Sequence, residues 1–84
     1  MTMLKKIVWV GDSLKQLRQF PEEVQDSVGY ALYKTQLGRP VRKTKLLKGF
    51  KPAVVELISD YDSDTYRTIY TVKINDEVYV LHCF

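Results

Sequence analysis

The sequence predicts an α+β domain in which two N-terminal helices pack on one face of a small antiparallel sheet. Three observations support this class. Apolar residues recur at helical spacing between residues 12 and 38, β-branched and aromatic residues dominate from residue 54 onward, and short polar turns divide that second half. We therefore expect a sheet of three to four strands and a single domain spanning residues 1–84.

The N-terminal segment predicts one strand and one short helix. Residues Lys6–Val10 are mostly β-branched or aromatic, and Gly11 ends this strand. Asp12 or Ser13 can cap the helix that follows. Its apolar positions recur at helical spacing and are Leu14, Leu17 and Phe20.

A second helix is expected to begin at Pro21-Glu22-Glu23 and to end at Gly38. Proline suits a first helical turn, and the two acids complement the positive end of the helix dipole. Gly38 favours a C-terminal cap, and Pro40 prevents the helix from resuming. The expected buried stripe consists of Val24, Val28, Ala31 and Leu32.

A basic segment separates the helices from the remaining strands. Between Gly38 and Pro52 the chain has six basic residues and no acid, and without them the net charge would fall from +3 to −3. These residues are Arg39, Arg42, Lys43, Lys45, Lys48 and Lys51. Such a local patch attracts a polyanion, although a solvated linker has the same composition. Charge alone does not decide between the two, and we expect a loop in either case.

Three strands follow, at Val54–Asp60, Thr65–Ile74 and Glu77–Phe84, with tight turns at Asp62-Ser63 and Asn75-Asp76. If both turns have two residues, the register of the whole hairpin pair is determined. Arg67 is then opposite Ile58 and Phe84, and Ile69 is opposite Glu56 and His82. A slip of one residue would exchange the faces, so the assignment depends on the turns.

Paired residues share one face of a sheet, so this register predicts two different faces. The more apolar face, which the helices should cover, carries Val55, Leu57, Tyr66, Thr68, Tyr70, Val72, Ile74, Tyr79, Leu81 and Cys83. The other face carries Val54, Glu56, Ile58, Arg67, Ile69, Lys73, Val80, His82 and Phe84.

The second face holds residue types suited to RNA cleavage. Attack by a ribose 2′-hydroxyl needs a base, an acid for the leaving oxygen, and a cation for the phosphorane. Glu56 or His82 could act as base, His82 as acid, and Arg67 as phosphate clamp, while Phe84 could stack a base. A structural interpretation stays open, with Arg67 and Glu56 as a simple cross-strand ion pair and His82 without a catalytic role.

The remaining composition restricts the location of the protein. The lone Cys83 excludes an internal disulfide and is expected to be a small buried residue in a reducing cytoplasm. The apolar run at residues 7–10 is too short for a signal peptide, and no other stretch could span a bilayer. We therefore predict a cytoplasmic protein without a membrane partner.

Several ordered blocks of the chain resemble phage-associated HigB-like toxins of the RelE/ParE superfamily, and together they span nearly its whole length. The blocks are Trp9-Val10-Gly11-Asp12-Ser13-Leu14, Leu17-Arg18-Gln19-Phe20-Pro21, Gly29-Tyr30-Ala31-Leu32, Gln36-Leu37-Gly38, Lys45-Leu46-Leu47-Lys48-Gly49-Phe50, Val55-Glu56-Leu57, Tyr66-Arg67-Thr68-Ile69-Tyr70-Thr71 and Tyr79-Val80-Leu81-His82-Cys83-Phe84.

This resemblance implies a RelE-like fold and the toxin of a type II toxin–antitoxin module, neutralised by a helix-turn-helix antitoxin. It implies cleavage of mRNA, typically in the ribosomal A site, without a metal or other cofactor. Arg67 matches the family's phosphate-binding arginine, and His82 and Phe84 match the histidine and aromatic of its last strand. Lys45 and Lys48 match its basic loop.

Two departures from the family affect these expectations. Members usually continue past the position of Phe84 into a basic segment and a C-terminal helix, so we expect this chain to lack that extension. The best-studied branch places lysines on the strand that corresponds to residues 54–59, where this chain has Glu56 and apolar residues. A lysine could then take part only if Lys48 or Lys51 reaches in from the loop.

We therefore predict an mRNA endoribonuclease with Arg67, His82 and Glu56 as catalytic residues and no metal. The predicted RNA-binding residues are Lys45, Lys48, Lys51, Arg42, Lys43, Lys73 and Phe84. The leading alternative is a non-catalytic or truncated relic that binds the antitoxin or nucleic acid. A ribosome-binding factor without cleavage is a third possibility.

Overall fold

The computed structural model describes residues 4–51, 53–73 and 77–84. Its elements are β1 (Lys6–Trp9), α1 (Ser13–Arg18), α2 (Glu22–Gln36), β2 (Thr44–Leu47), β3 (Val54–Tyr61), β4 (Asp64–Lys73) and β5 (Glu77–Cys83). The described strands form one sheet in the order β1-β5-β4-β3-β2. The predicted α+β class with two N-terminal helices is confirmed.

The sheet differs from the prediction at both edges. Strand β2 forms inside the basic segment, where we expected a loop, because residues 44–47 pair with the outer edge of β3. Strand β1 lies parallel to β5, whereas every other pairing is antiparallel. Parallel neighbours need a long connection, and the helices and the other strands lie between β1 and β5 in the chain. The result is a mixed sheet of five described strands.

Helix α2 ends as the sequence predicts. Gly38 adopts a left-handed φ of 72°, and the N–H of Arg39 donates to the carbonyl of Lys34 at 2.9 Å. This is the Schellman arrangement, in which a glycine without a Cβ satisfies the last carbonyls of a helix. The end of α2 is also bonded to the residue that precedes β1, because the side chain of Gln36 donates to the carbonyl of Lys5 at 2.7 Å.

Both helices pack on one face of the sheet and form one hydrophobic core with it. The rings of Phe20, which follows α1, and Tyr66 on β4 lie 4.8 Å apart. The core residues are Leu17, Phe20, Val24, Val28, Ala31, Leu32, Leu57, Tyr70, Val78, Val80 and Cys83. The predicted helical stripes are therefore confirmed as core except at Leu14, which is only partly buried and is not among the core residues. We call the opposite side of the sheet, turned away from α1 and α2, the open face.

The hairpin of β3 and β4 has the predicted register. Asp62 and Ser63 form a two-residue turn with φ values of 50° and 68°. Two positive φ angles are typical of a type I′ turn, whose twist matches that of the flanking strands. Arg67 consequently lies opposite Ile58, and Glu56 lies opposite Ile69.

The pairing of β4 with β5 follows the predicted register for only part of its length. Ile69 pairs with His82 as expected, but Tyr70 pairs with Val80. Leu81 is thus an extra residue on β5, which is a β-bulge. Beyond the bulge Glu77 pairs with Lys73, so the register expected from a two-residue turn at Asn75-Asp76 is wrong for this part of β5. The predicted Asn75-Asp76 turn lies outside the described residues.

Because of the bulge, the predicted face of the sheet is wrong for three residues of β5. Val80 was expected on the open face but lies in the core with no exposed surface. Tyr79, expected in the core, pairs with Thr71 and shares the open face with it. Leu81 is the bulged residue and is not part of the core. The physical reason is the extra residue, which reverses the in–out alternation of β5 on its N-terminal side.

This correction can be tested by placing a hydroxyl at Val80. We expect Val80→Thr to lower the free energy of unfolding by about 1–3 kcal/mol, because a polar group would be buried in the core. The matched control is Val10→Thr at an exposed valine, which should change it by less than about 0.5 kcal/mol. Urea unfolding measures both. Equal stability of the two variants would contradict the bulged register.

Candidate active site on the open face

The catalytic residues predicted from the sequence lie together on the open face. The register places Lys45, Glu56, Ile69 and His82 side by side across β2, β3, β4 and β5. The neighbouring row contains Ile58 and Arg67. Because directly paired residues share a face, these two rows bring an acid, an arginine and the histidine to one surface.

Arg67 and Glu56 form an ion pair across two strands. The guanidinium Nη1 of Arg67 is 3.5 Å from Oε1 of Glu56, and the two side chains are 39% and 13% exposed. A partly exposed pair of this kind contributes about 1 kcal/mol or less, so an incoming phosphate can compete for the guanidinium. The ion pair therefore holds the Arg67 side chain in position and still allows its guanidinium to bind a phosphate.

The end of β5 is fixed against Arg67 by its backbone. The N–H of Arg67 donates to the carbonyl of Phe84 at 2.7 Å, and the N–H of Phe84 donates back at 2.9 Å. The ring of Phe84 is 55% exposed and its centroid lies 5.1 Å from that of His82. An exposed aromatic ring and an imidazole are thus adjacent to the ion pair.

The predicted RNA-binding residues of the basic segment are divided by the structure. Lys45 lies opposite Glu56 on β2 and is exposed, and Lys48 and Lys51 are exposed in the segment that follows. Lys43 instead contacts Asp60 at 3.8 Å. Lys73 lies on β4, where its backbone is paired with Glu77 of β5.

Arg42 and Lys43 also line a separate cleft of about 490 Å³ between α2 and the end of β3. Its apolar floor includes Val41 and Leu57, so it is reached from the helix side of the sheet and not from the open face. On its rim, the carboxylate of Glu23 raises the pKa of Tyr61 through a hydrogen bond and its charge. These two cations therefore border a surface different from that of Arg67 and His82.

Tyr79 is a residue of the open face that sequence reasoning missed. Its hydroxyl donates to the carboxylate of Glu77, and this hydrogen bond raises the pKa of Tyr79. The signal that could have revealed it is the pair Val78 and Val80, which are both β-branched and favour the same buried face. If both point inward, Tyr79 must point outward.

Cys83 lies on the covered face and takes no part in this site. It is 3% exposed, and burial raises the pKa of its thiol while the nearby Thr68 hydroxyl lowers it. Its backbone N–H donates to Oε1 of Gln16 on α1 at 2.9 Å, which ties the short helix to β5. The expectation of a buried cysteine is confirmed.

Two further observations concern the described residues alone. Among them, no three His, Cys, Asp or Glu side chains converge closely enough to hold a metal ion. No helix in the described part of the chain has the length and apolar character needed to cross a bilayer.

Comparison with solved structures defines the class of fold. A mutant of the Escherichia coli toxin RelE in the free state is similar with a TM-score of 0.72 and 21% identity, covering 96% of this chain and 82% of that chain. The intact E. coli RelBE toxin–antitoxin complex gives 0.70 and 19%, covering 94% and 93%. The Mycobacterium tuberculosis RelBE2 toxin–antitoxin complex gives 0.66 and 15%, covering 95% of both chains. The protein therefore has the RelE fold.

The family follows from the sequence match. The model of the family described as Phage derived protein Gp49-like (DUF891) matches residues 15–84, and the chain belongs to this family. No curated protein is significantly similar to it in sequence. The predicted RelE-like fold is confirmed, and the family model agrees with the predicted phage-associated relationship, whereas the HigB-like subtype stays a prediction.

The burial of Cys83 leads to a testable expectation about thiol reactivity. Because the thiolate is the reactive form, the folded protein should react with Ellman's reagent at least about tenfold more slowly than the urea-unfolded chain. The unfolded thiol ionises first, near pH 8.5, so the free energy of unfolding should fall as pH rises above that value. Rapid labelling of the folded chain would contradict this.

Proposed function

We propose that this protein is the toxin of a type II toxin–antitoxin module and that it cleaves mRNA. The observation that carries the proposal is the convergence of Glu56, Arg67 and His82 on the face of the sheet that is turned away from α1 and α2. The RelE fold and the similarity to toxins in complex with antitoxins support it. A helix-turn-helix antitoxin and a ribosome-bound mRNA belong to the same proposal.

The proposed reaction is metal-free transesterification. Glu56 or His82 removes the proton from a ribose 2′-hydroxyl, whose oxygen attacks the adjacent phosphorus. Arg67 donates hydrogen bonds to the non-bridging oxygens, where negative charge develops in the phosphorane. With Glu56 as base, His82 gives a proton to the departing 5′-oxygen. The products are a 2′,3′-cyclic phosphate and a 5′-hydroxyl end.

The exposed lysines near this face would hold the RNA backbone. Lys45 lies in the row of Glu56 and His82, and Lys48 and Lys51 follow it along the chain. Their charge is local, since the chain carries +3 with the six basic residues of the segment and −3 without them. A local patch of this kind orients a polyanion toward the site.

A second candidate function is binding of RNA or antitoxin without cleavage. The ion pair of Arg67 with Glu56 favours it, because a guanidinium that is already neutralised binds phosphate less strongly. The two functions differ in one observable. Cleavage leaves new 5′ ends in mRNA, whereas binding alone leaves the message intact.

The catalytic proposal is tested by expressing the chain in a bacterial host and mapping mRNA 5′ ends by primer extension. We expect new ends within translated codons, and Arg67→Ala should reduce them by at least about 10²-fold because charge stabilisation in the transition state is lost. Arg18→Ala is the matched control at an exposed arginine on α1 and should cleave normally.

The outcomes separate the candidate functions. Equal cleavage by folded Arg67→Ala would exclude the assigned role of Arg67. A folded parent chain that yields no new ends but arrests growth or translation would favour binding without cleavage. Glu56→Gln and His82→Gln in the same assay divide the base and acid roles, since loss of the base should shift the pH profile of cleavage.

The proposed RNA-binding role of the lysines leads to a separate prediction about how RNA affinity depends on salt concentration. Binding to a 2′-O-methyl RNA, which cannot be cleaved through a 2′-hydroxyl, should weaken as salt rises. Removing one phosphate contact lowers the slope of log K against log salt by about 0.7. We expect this change for Lys45→Ala and Lys48→Ala, and none for Lys15→Ala on α1. Fluorescence anisotropy at several salt concentrations measures it.

A further inference from the structure

The β-bulge places a second aromatic ring on the open face. Tyr79 is paired with Thr71, and Thr71 is paired with Val54, so these three residues form a row across β5, β4 and β3. This row lies next to the row of Glu56 and His82. Tyr79 is partly exposed, whereas Val54 and Thr71 are buried. Tyr79 is therefore the most accessible of these three residues.

The surroundings of Tyr79 restrain its ring. The Thr71 hydroxyl donates to the carbonyl of Ala53 at 2.5 Å, so its proton is already used within the protein. The Tyr79 hydroxyl donates to the carboxylate of Glu77, and this hydrogen bond restrains the ring. Val54 and Thr71 bring no charge to this row, and the Glu77 carboxylate lies at the hydroxyl end of the Tyr79 ring.

Tyr79 and Phe84 flank His82 along β5. Because Leu81 is bulged, they are separated by four steps of the ladder, which corresponds to about 13 Å at 3.3 Å per residue. Bases stacked on one another along a strand are only about 3.4 Å apart. Two bases that contact these two rings at the same time must therefore be unstacked from each other.

We propose that Tyr79 forms a second nucleobase-stacking site, so that single-stranded RNA runs along β5 with one base on Phe84, another on Tyr79, and the scissile phosphate between them. This inference rests on the proposed function and deepens it. The substrate it defines is an unpaired RNA segment with splayed bases, which a duplex cannot supply.

The arrangement also has a chemical consequence. Attack by the 2′-oxygen requires it to lie in line with the departing 5′-oxygen, and regular stacking of neighbouring bases opposes that geometry. Holding the two bases apart on separate rings would give up their mutual stacking in exchange for stacking on protein. Tyr79 would then be a positioning residue that contributes through RNA geometry, without a proton-transfer role.

The test measures affinity for a 2′-O-methyl RNA oligonucleotide by fluorescence anisotropy. Tyr79→Leu should weaken binding by about 5- to 150-fold, which is the range expected for loss of one stacked base. Tyr79→Phe and Tyr79→Trp should stay within about threefold of the parent, since both keep a stacking ring. The matched control is Tyr33→Leu at an exposed tyrosine on α2, which should bind like the parent.

A second measurement avoids any effect of substitution on folding. The unmodified chain is irradiated with RNA that carries 5-iodouridine at successive positions, and the crosslinked residues are identified by mass spectrometry. We expect crosslinks to Phe84 and Tyr79 from different positions of the same RNA. Crosslinks to Phe84 without any to Tyr79, or normal binding by folded Tyr79→Leu, would overturn the inference and leave the proposed function intact.

The proposed function fails in a different way. If the parent chain neither binds nor crosslinks single-stranded RNA, both the function and the stacking site are overturned. The parent chain could bind single-stranded and duplex RNA of the same sequence with equal affinity, and Tyr79→Leu could weaken both equally. That result would overturn the requirement for splayed bases. Preference for the single strand that disappears in Tyr79→Leu is the supporting result.

Discussion

Both faces of the sheet depend on the β-bulge at Leu81. Strand β5 directs Val78, Val80 and Cys83 into the core, although the spacing of these three residues does not alternate regularly. A regular strand that buried the two valines would turn the cysteine outward and the histidine inward. One extra residue reverses the alternation of inward and outward side chains along β5. The same strand therefore completes the core and presents His82 on the open face. Core packing and the candidate site share this one irregularity.

The two helices cover only one face of the sheet, and the candidate site therefore lies on the other face. Both helices bury their apolar stripes against the same face, which leaves Glu56 and Arg67 on the other, where their charges pair with each other. These groups stand on strands and not on loops, and Arg67 exchanges two backbone hydrogen bonds with Phe84. Rigid elements of this kind hold catalytic groups more accurately than mobile segments do. The basic segment adds Lys45 to the same surface through its pairing with β3.

Much of the site could be predicted because it depends on one short turn. Asp62 and Ser63 tolerate the positive φ that a type I′ turn requires, and this turn alone determines that Arg67 and Glu56 lie near each other on one face. The position of Tyr79 could not be predicted in the same way. It depends on where β4 and β5 change register, and that point is selected by packing against the helices and not by a turn residue.

The sequence by itself determined the elements that local chemistry controls: two amphipathic helices, the glycine that ends α2, the β3–β4 hairpin and the local excess of positive charge. Only the tertiary structure decided which strands form the edges, that residues 44–47 pair with β3, and that β1 runs parallel to β5. The physical reason is the range of the interactions. Helix caps and tight turns are satisfied within a few residues, whereas edge pairing and the bulge at Leu81 depend on burying Val78 and Val80 against helices more than forty residues away in the chain.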